Sequence, residues 1–179
     1  MKVVFLDRDG VINKFPGDRL YVTRIGSFRF LPRAKKAISL LSKDGFKIFV
    51  VSNQAGVGNG AYNQNTLDNI TIKMLNDIQQ YGGRIDKVYY CTHQKGTDCP
   101  CHKPKPGMLK QAAKEFKFNL KKAYFIGDTI VDVLTAQAAG CRSILVLTGK
   151  EKQANQKDWE VKPDFVFKDI YEAAKFLVC

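Results

Sequence analysis

Short apolar runs that alternate with helical stripes are the feature that most constrains the fold of this chain. The first run, Val3-Val4-Phe5-Leu6, ends in Asp7 and predicts a buried strand. Further strands are predicted at 46–51, 85–90, 123–126, 144–147 and 164–167. Amphipathic helices are predicted between them, at 32–44, 67–78, 108–116, 130–139 and 170–177. This alternation predicts an α/β fold with three layers, in which a parallel sheet carries helices on both faces.

Polar residues follow three of these predicted strands. Asp7 ends the first strand, Ser52 and Asn53 end the second, and Asp128 ends the fourth. In open parallel sheets the ligand binds beyond the carboxyl ends of the strands. We therefore expect these side chains to converge on one crevice.

Asp7 and Asp9 are two carboxylates one residue apart, directly after a buried strand. Close like charges are costly unless a cation neutralises them, and Mg²⁺ prefers oxygen ligands of this kind. Asp128 can complete the ligand set. One carboxylate can then attack phosphorus as a nucleophile while the other exchanges protons with the leaving group and with water. The alternative is a turn with two solvated aspartates, but the second strand-end carboxylate favours the site.

Four other positions have two interpretations each. Ser52 and Asn53 can donate hydrogen bonds to a phosphoryl oxygen, or they can cap a turn. Lys103 stands before Pro104 and can hold a transferring phosphoryl group, although it can also be one more surface lysine. Asp132 can order the metal site from behind, or it can be an acid at the N-terminus of a helix, and both interpretations stay open.

The order Asp-x-Asp-Gly, Ser-Asn, Lys and Gly-Asp resembles the haloacid dehalogenase (HAD) superfamily of aspartate-nucleophile phosphatases over most of the chain. The resemblance implies a Rossmann-like HAD fold. It also implies that Asp7 is the nucleophile and Asp9 the acid/base. Mg²⁺ would be bound by Asp7, by Asp9 through its backbone carbonyl, and by Asp128. Ser52 and Lys103 would hold the phosphoryl group during catalysis.

Three of the five cysteines, Cys91, Cys99 and Cys101, fall within eleven residues, with His93 between them. In a cytosolic chain such clustering favours a metal site over a disulfide. Three Cys and one His form a complete tetrahedral ligand set, which predicts a structural Zn²⁺. We expect the zinc to position Lys103 and to shape substrate access, and not to activate water.

This segment, followed by Lys-Pro, resembles the zinc-loop branch shared by D-glycero-D-manno-heptose 1,7-bisphosphate phosphatases and bacterial histidinol-phosphate phosphatases. Four stretches of the chain look more like the heptose enzymes: Asn13, Tyr21-Val22, Gly58-Asn59-Gly60 and the segment 103–108. The resemblance to that branch implies further substrate-binding residues, which are Asn53, Gln54 and His102.

Two positions depart from the pattern of this branch. Position 102 is His, where the heptose and histidinol enzymes usually carry Arg, and position 59 is Asn, where related sequences often have Arg. Arg offers a bidentate fork to phosphate and His does not. Both changes remove positive charge near the expected distal phosphate. They weaken the assignment of a bisphosphate substrate and leave the reaction class untouched.

The net charge of +12, from 29 basic and 17 acidic residues, favours anionic partners. The lysines are scattered, with no basic tail and no basic-aromatic repeat, so a solvated surface is preferred over nucleic-acid binding. No apolar run approaches the roughly 18 residues of a membrane span. An acidic residue interrupts the first apolar run, which argues against a signal peptide. We therefore expect a cytoplasmic protein with no membrane partner.

Taken together, the residues predict one domain over 1–179, with a short flap at about 13–31, a zinc loop at about 91–107 and no large cap domain. The expected protein is a monomer that acts on a small phosphorylated sugar. The expected reaction is Mg²⁺-dependent removal of the 7-phosphate of D-glycero-D-manno-heptose 1,7-bisphosphate through an aspartyl-phosphate. Histidinol phosphate or another small phosphate ester is the alternative substrate. A polynucleotide 3′-phosphatase and a non-catalytic basic zinc-binding module are the remaining alternatives.

Overall fold

A six-stranded parallel sheet forms the centre of the computed structural model, which describes residues 1–18, 20–94, 96–152, 156 and 159–179. Arg19 of the flap and Lys95 of the zinc loop lie outside the described residues. The strands are β1 (Val3–Leu6), β2 (Lys47–Asn53), β3 (Lys87–Cys91), β4 (Ala123–Gly127), β5 (Arg142–Val146) and β6 (Phe165–Phe167). The helices are α1 (Ala34–Lys43), α2 (Gln64–Gln80), α3 (Gly107–Phe116), α4 (Ile130–Ala139) and α5 (Ile170–Val178). The predicted fold class is confirmed.

Each face of the sheet has its own hydrophobic core. On one face, Val4 and Leu6 of β1 pack with the apolar sides of α1, α2 and α5. On the other face, Val3 and Phe5 pack with α3 and α4. All four residues of β1 are buried, because a central parallel strand is covered by helices on both sides. The continuous apolar run of the sequence is the direct consequence of that position.

The order of the strands is β3-β2-β1-β4-β5-β6, so the direction of winding reverses between β1 and β4. Open α/β sheets bind ligands at such a reversal, outside the carboxyl ends of the strands. The two strands pair in parallel with Leu6 opposite Ile126. The backbone N–H of Asp7 donates to the Ile126 carbonyl at 2.9 Å. Asp7 and Asp128 therefore leave the sheet side by side.

The ends of two elements bear on the site. The sequence predicts that Ser52 and Asn53 end the second strand, and β2 does end there, because the two residues pair with Tyr90 and Cys91 of β3. Ser52 and Asn53 are thus the last residues of a strand and do not start a turn. The first helix begins at Ala34 and not at 32, because Arg33 has a left-handed backbone with φ of 64°.

In the part of the flap that the structure describes, one turn of 3₁₀ helix at Ile25–Ser27 is the only helix or strand. The start of the flap is nevertheless anchored to the site, since Asn13 is fully buried and forms isolated bridges with Asp9 and Phe30. The described residues include no inserted cap domain. None of the described helices combines the length and the apolar character that a membrane crossing requires.

Candidate active site

A buried ion-pair cluster lies at the reversal point of the sheet. The Lys103 Nζ is 2.7 Å from Asp7 Oδ1 and 2.6 Å from Asp132 Oδ1. All three side chains are buried, and the opposite charges of the cluster offset part of the cost of removing them from water. The aromatic face of Phe125 covers the ammonium group at 5.3 Å. Lys103 therefore holds the nucleophile predicted from the sequence by a direct hydrogen bond.

Two of the site carboxyl groups hold protons more tightly than usual. Burial raises the pKa of Asp7 to about 6, helped by the charges of Asp132 and Asp9 and opposed by Lys103. Burial also raises the pKa of Asp128 well above its usual range, and the charges of Asp132 and Asp7 add to the effect. A cation bound beside both groups would stabilise their ionised forms and offset the cost of burying their negative charge.

Asp9 lies in a different environment, because three donors surround its carboxylate. Asn13 Nδ2 donates to Oδ1 at 2.8 Å, and Gln54 Nε2 donates to Oδ2 at 2.9 Å. The fully buried Arg8 donates to both oxygens, at 3.1 and 3.0 Å. Burial alone would raise the pKa of Asp9, but Arg8 and the two amides outweigh it and lower the pKa. The two neighbouring aspartates thus have opposite pKa shifts.

Gln54 lies between Ser52 and the acid/base candidate. Its Nε2 is also 3.1 Å from Ser52 Oγ, and its Oε1 accepts a hydrogen bond of 2.6 Å from the Tyr62 hydroxyl. Ser52 and Gln54 are both 2% exposed. The predicted substrate contact of Gln54 stays a prediction, and the structure adds a role in holding Asp9.

Asp132 lies at the N-terminus of α4, as one of its two interpretations predicts. Its Oδ2 accepts hydrogen bonds from the Thr129 N–H at 3.1 Å and from the Thr129 hydroxyl at 2.7 Å, which fixes the start of α4. Its other oxygen binds Lys103. One carboxylate therefore caps a helix and holds Lys103, while an ordering role toward a metal stays a prediction.

The cluster fits a divalent cation. Carboxylate oxygens of Asp7, Asp128 and Asp132 lie within 4.8 Å of one another. Because Lys103 contributes one positive charge and Arg8 offsets Asp9, the three ionised carboxylates leave two negative charges uncompensated. A hard cation that prefers oxygen ligands matches this donor set. The predicted ligands Asp7 and Asp128 belong to it.

The predicted zinc ligands also converge. Cys91, at the end of β3, lies 3.7 Å from Cys99 and 3.1 Å from Cys101 between sulfur atoms. The His93 Nδ1 is 3.6 Å from Cys91 Sγ and 3.2 Å from Cys101 Sγ. Four ligands at about 2.3 Å and 2.0 Å from a tetrahedral Zn²⁺ need separations close to these. The cluster is a candidate zinc site at the edge of the sheet.

His102 stands between the two sites in the sequence. Its Nδ1 is 3.6 Å from Cys91 Sγ, so the imidazole lies against the zinc cluster. It is half-buried. The predicted substrate contact of His102 stays a prediction.

Sequence reasoning did not identify Arg8, Tyr62 or Thr129 as parts of the site. Arg8 stands between two candidate aspartates, which was the one available signal. The roles of Tyr62 and Thr129 follow from packing and capping that the sequence pattern does not display.

Comparison with known proteins identifies the family. A family model described as HAD-hydrolase-like matches residues 100–173. A D-glycero-beta-D-manno-heptose-1,7-bisphosphate 7-phosphatase from Pseudomonas putida is 34% identical, over 99% of this chain and 100% of the relative. One from Haemophilus ducreyi is 33% identical over 98% of both chains. The chain belongs to the HAD-like hydrolase family. Within that family its relatives include the heptose bisphosphate phosphatases.

Solved structures of this HAD-like group have the same fold. The D,D-heptose 1,7-bisphosphate phosphatase of Bordetella bronchiseptica, complexed with magnesium and phosphate, has a TM-score of 0.93 at 31% identity, covering 99% of this chain and 98% of that one. The enzyme from Burkholderia thailandensis has a TM-score of 0.75 at 28% identity, over 99% of each chain. This agreement extends the match beyond the residues covered by the family model.

Proposed function

We propose that this protein is a Mg²⁺-dependent phosphomonoesterase that removes the 7-phosphate of D-glycero-D-manno-heptose 1,7-bisphosphate through an aspartyl-phosphate on Asp7. The observation that carries the proposal is the buried Asp7–Lys103–Asp132 cluster beside Asp128, at the carboxyl ends of two adjacent parallel strands. Relatives that align over the full chain are named for this reaction, and a relative's structure holds magnesium and phosphate.

In the first half of the reaction, a carboxylate oxygen of Asp7 attacks the phosphorus atom, and the bond from phosphorus to the sugar oxygen breaks. The sugar oxygen takes a proton from Asp9. An approaching phosphate dianion raises the pKa of Asp9 and helps it to carry that proton. Lys103 and Ser52 hold the phosphoryl oxygens and stabilise the charge that develops on them.

In the second half, water attacks the phosphorus of the aspartyl-phosphate, and the bond between phosphorus and the Asp7 oxygen breaks. Asp9 takes a proton from that water, and inorganic phosphate leaves. The three hydrogen-bond donors around Asp9 keep it ionised for this step. Asp7, Asp128 and the Asp9 carbonyl would hold Mg²⁺, which when bound would supply positive charge to neutralise the phosphate and orient it.

Lys103 belongs to the zinc loop, and the end of β2 holds its backbone. The Asn53 Oδ1 accepts a hydrogen bond from the Lys103 N–H, two residues after the proposed zinc ligand Cys101. A rigid loop at this point fixes the lysine that binds the phosphoryl group.

The proposal also includes where and how the protein acts: in the cytoplasm, as a monomer and without a nucleic-acid partner.

Phosphate release tests the proposal. Purified protein with Mg²⁺ is given heptose 1,7-bisphosphate, histidinol phosphate and a 3′-phosphorylated oligonucleotide in parallel, and Asp7→Asn is the control. We expect strong preference for the heptose and loss of at least about a thousand-fold in the variant, since the nucleophile is removed. Preference for another ester would overturn the substrate, and full activity of Asp7→Asn would overturn the mechanism.

A further inference from the structure

We propose that Tyr62 is a positioning residue for Asp9 and that it acts through the side-chain amide of Gln54. The inference rests on the proposed function and deepens it. It adds a residue that does not touch the reacting atoms but determines how the acid/base group is held.

The hydrogen bonds form a directional chain. The Tyr62 hydroxyl is 2.6 Å from Gln54 Oε1, and Gln54 Nε2 is 2.9 Å from Asp9 Oδ2 and 3.1 Å from Ser52 Oγ. The two N–H groups of the amide thus have two acceptors, and its oxygen has one donor. Gln54 is 2% exposed and Tyr62 is 8% exposed, so water competes little with these bonds.

The orientation of the Gln54 amide depends on Tyr62. An ionised carboxylate only accepts hydrogen bonds, so the NH₂ group of Gln54 has to face Asp9. Its oxygen then points the opposite way, into a buried position where it needs a donor. The Tyr62 hydroxyl is that donor. Without it the amide carries an unsatisfied buried oxygen, and rotation that relieves this would turn oxygen toward the Asp9 carboxylate.

The ring of Tyr62 is itself held in place by the flap. The rings of Tyr62 and Tyr21 have centroids 6.1 Å apart, and both pack against Gly56. A Cβ atom on Gly56 would lie 2.4 Å from Tyr62 Cε1 and 2.8 Å from Tyr21 Cγ, so only glycine allows this approach. The Tyr21 hydroxyl accepts a hydrogen bond from Asn59 Nδ2 at 3.0 Å. The flap and the loop after β2 thus fix Tyr62 together.

Tyr62 keeps its proton under ordinary conditions. Burial raises its pKa to about 12, with Arg8 opposing the shift and Asp9 adding to it. The hydroxyl therefore remains a donor to Gln54 across the whole range in which a phosphatase is assayed. This agrees with the direction of the hydrogen bonds, which run from the Tyr62 hydroxyl to the Gln54 amide and from that amide to the Asp9 carboxylate.

The experiment compares Tyr62→Phe, Gln54→Ala and the double variant with the wild-type protein, by steady-state kinetics with Mg²⁺ on heptose 1,7-bisphosphate. Tyr62→Phe is expected to lower kcat about ten-fold and to leave KM within about two-fold, because the hydroxyl is engaged with Gln54 and not with substrate. If Tyr62 acts through Gln54, the double variant loses no more than Gln54→Ala alone.

Tyr89→Phe is the matched control. Tyr89 is 5% exposed, and its hydroxyl donates one hydrogen bond of 2.8 Å to Glu115, far along the chain from Asp9. Both Phe variants lose one hydroxyl hydrogen bond, which is buried at Tyr62 and half-buried at Tyr89, so the change in Tm is expected to be equal or smaller in Tyr89→Phe. Only Tyr62→Phe should lose kcat, which separates positioning from general loss of stability.

Three results would overturn the inference: an unchanged kcat in Tyr62→Phe, losses that multiply in the double variant, or an equal loss in Tyr89→Phe. Assays of the wild-type protein on two substrates distinguish failure of this inference from failure of the proposed function. If it hydrolyses p-nitrophenyl phosphate but not the heptose, the substrate is wrong and the same variants are compared on that ester. If it hydrolyses neither, the proposed function and the inference are overturned together.

Discussion

Asn53 and Lys103 hold each other through two hydrogen bonds that run in opposite directions. The Asn53 Nδ2 donates to the Lys103 carbonyl at 3.1 Å, and the Lys103 N–H donates to Asn53 Oδ1 at 2.9 Å. They are 50 residues apart in the chain, so the pair joins the end of β2 to the zinc loop. The side-chain ammonium of Lys103 then reaches Asp7 from a backbone that cannot shift freely.

Replacing Asn53 should therefore impair catalysis through Lys103. Asn53→Ala removes both bonds, each worth about 1 kcal/mol, and we expect kcat/KM to fall about ten-fold or more. The measurement is phosphate release at saturating Mg²⁺. Asn119→Ala is the control, because Asn119 also bonds a backbone N–H, that of Lys121, but on an exposed turn. Equal losses in the two variants would contradict the link between Asn53 and Lys103.

Binding of Mg²⁺ should weaken as the pH falls through about 6. The pKa of Asp7 is raised to about 6 and that of Asp128 is raised as well, so protons compete with the cation at these oxygens. Titration calorimetry at pH 7.5, 6.5 and 5.5 should show a Kd that rises by up to about ten-fold for each pH unit below 6. A Kd that stays constant over this range would contradict the assignment of Asp7 as a ligand.

The same shift predicts how Asp7 affects stability without metal. Its folded pKa lies above its ordinary value of 3.8, so its contribution to stability is fully present below 3.8 and is lost as the pH rises through about 6. The advantage of Asp7→Asn over the wild type in free energy of unfolding should therefore grow between pH 4 and pH 7, by about 3 kcal/mol. Urea unfolding of both proteins across this pH range measures the difference, and a difference that does not change with pH would contradict the raised pKa of Asp7.

Removal of zinc should loosen the loop and spare the sheet. The candidate ligands belong to the end of β3 and the segment after it, and β3 is an edge strand. Chelation, or Cys99→Ala, should increase hydrogen exchange over 91–107 and lower kcat, because the backbone of Lys103 loses one support. Exchange in β1 and β4 should change little. Global unfolding on chelation would show that zinc stabilises more of the molecule than its loop.

Cys141→Ala provides the control for zinc content. Cys141 is buried in the hydrophobic core on the face of α3 and α4, outside the candidate zinc cluster. Its truncation should lower Tm modestly while zinc, measured by mass spectrometry of the metal, remains at one equivalent. Loss of zinc from this variant would contradict the four-ligand assignment.

The parts of the site that could be predicted are those that depend on residues close together in the sequence. The run before Asp7 has to be buried on both faces, and that alone places Asp7 at the centre of the sheet. The spacing of the Cys and His residues likewise brings their ligand atoms together within one loop.

What could not be predicted depends on contacts between distant segments. Arg8 is charged and next to a turn, yet it is fully buried, because Asp9 and the face of Tyr90 compensate its charge. Tyr90 belongs to β3, far from Arg8 in the sequence. No periodicity in the sequence carries that information.

The last prediction concerns the space around Asp128. A Cβ atom on Gly149 would lie 1.9 Å from Asp128 Oδ2, while the next residue, Lys150, donates its N–H to that same oxygen at 2.8 Å. Gly149→Ala must therefore displace the carboxylate or the loop that holds it. We expect Mg²⁺ affinity to fall at least about ten-fold and kcat about a hundred-fold, with a smaller change in Tm. Gly26→Ala is the control, since nothing lies within 4 Å of a Cβ there. If Gly149→Ala binds Mg²⁺ as the wild type does, Asp128 is not held by this close approach.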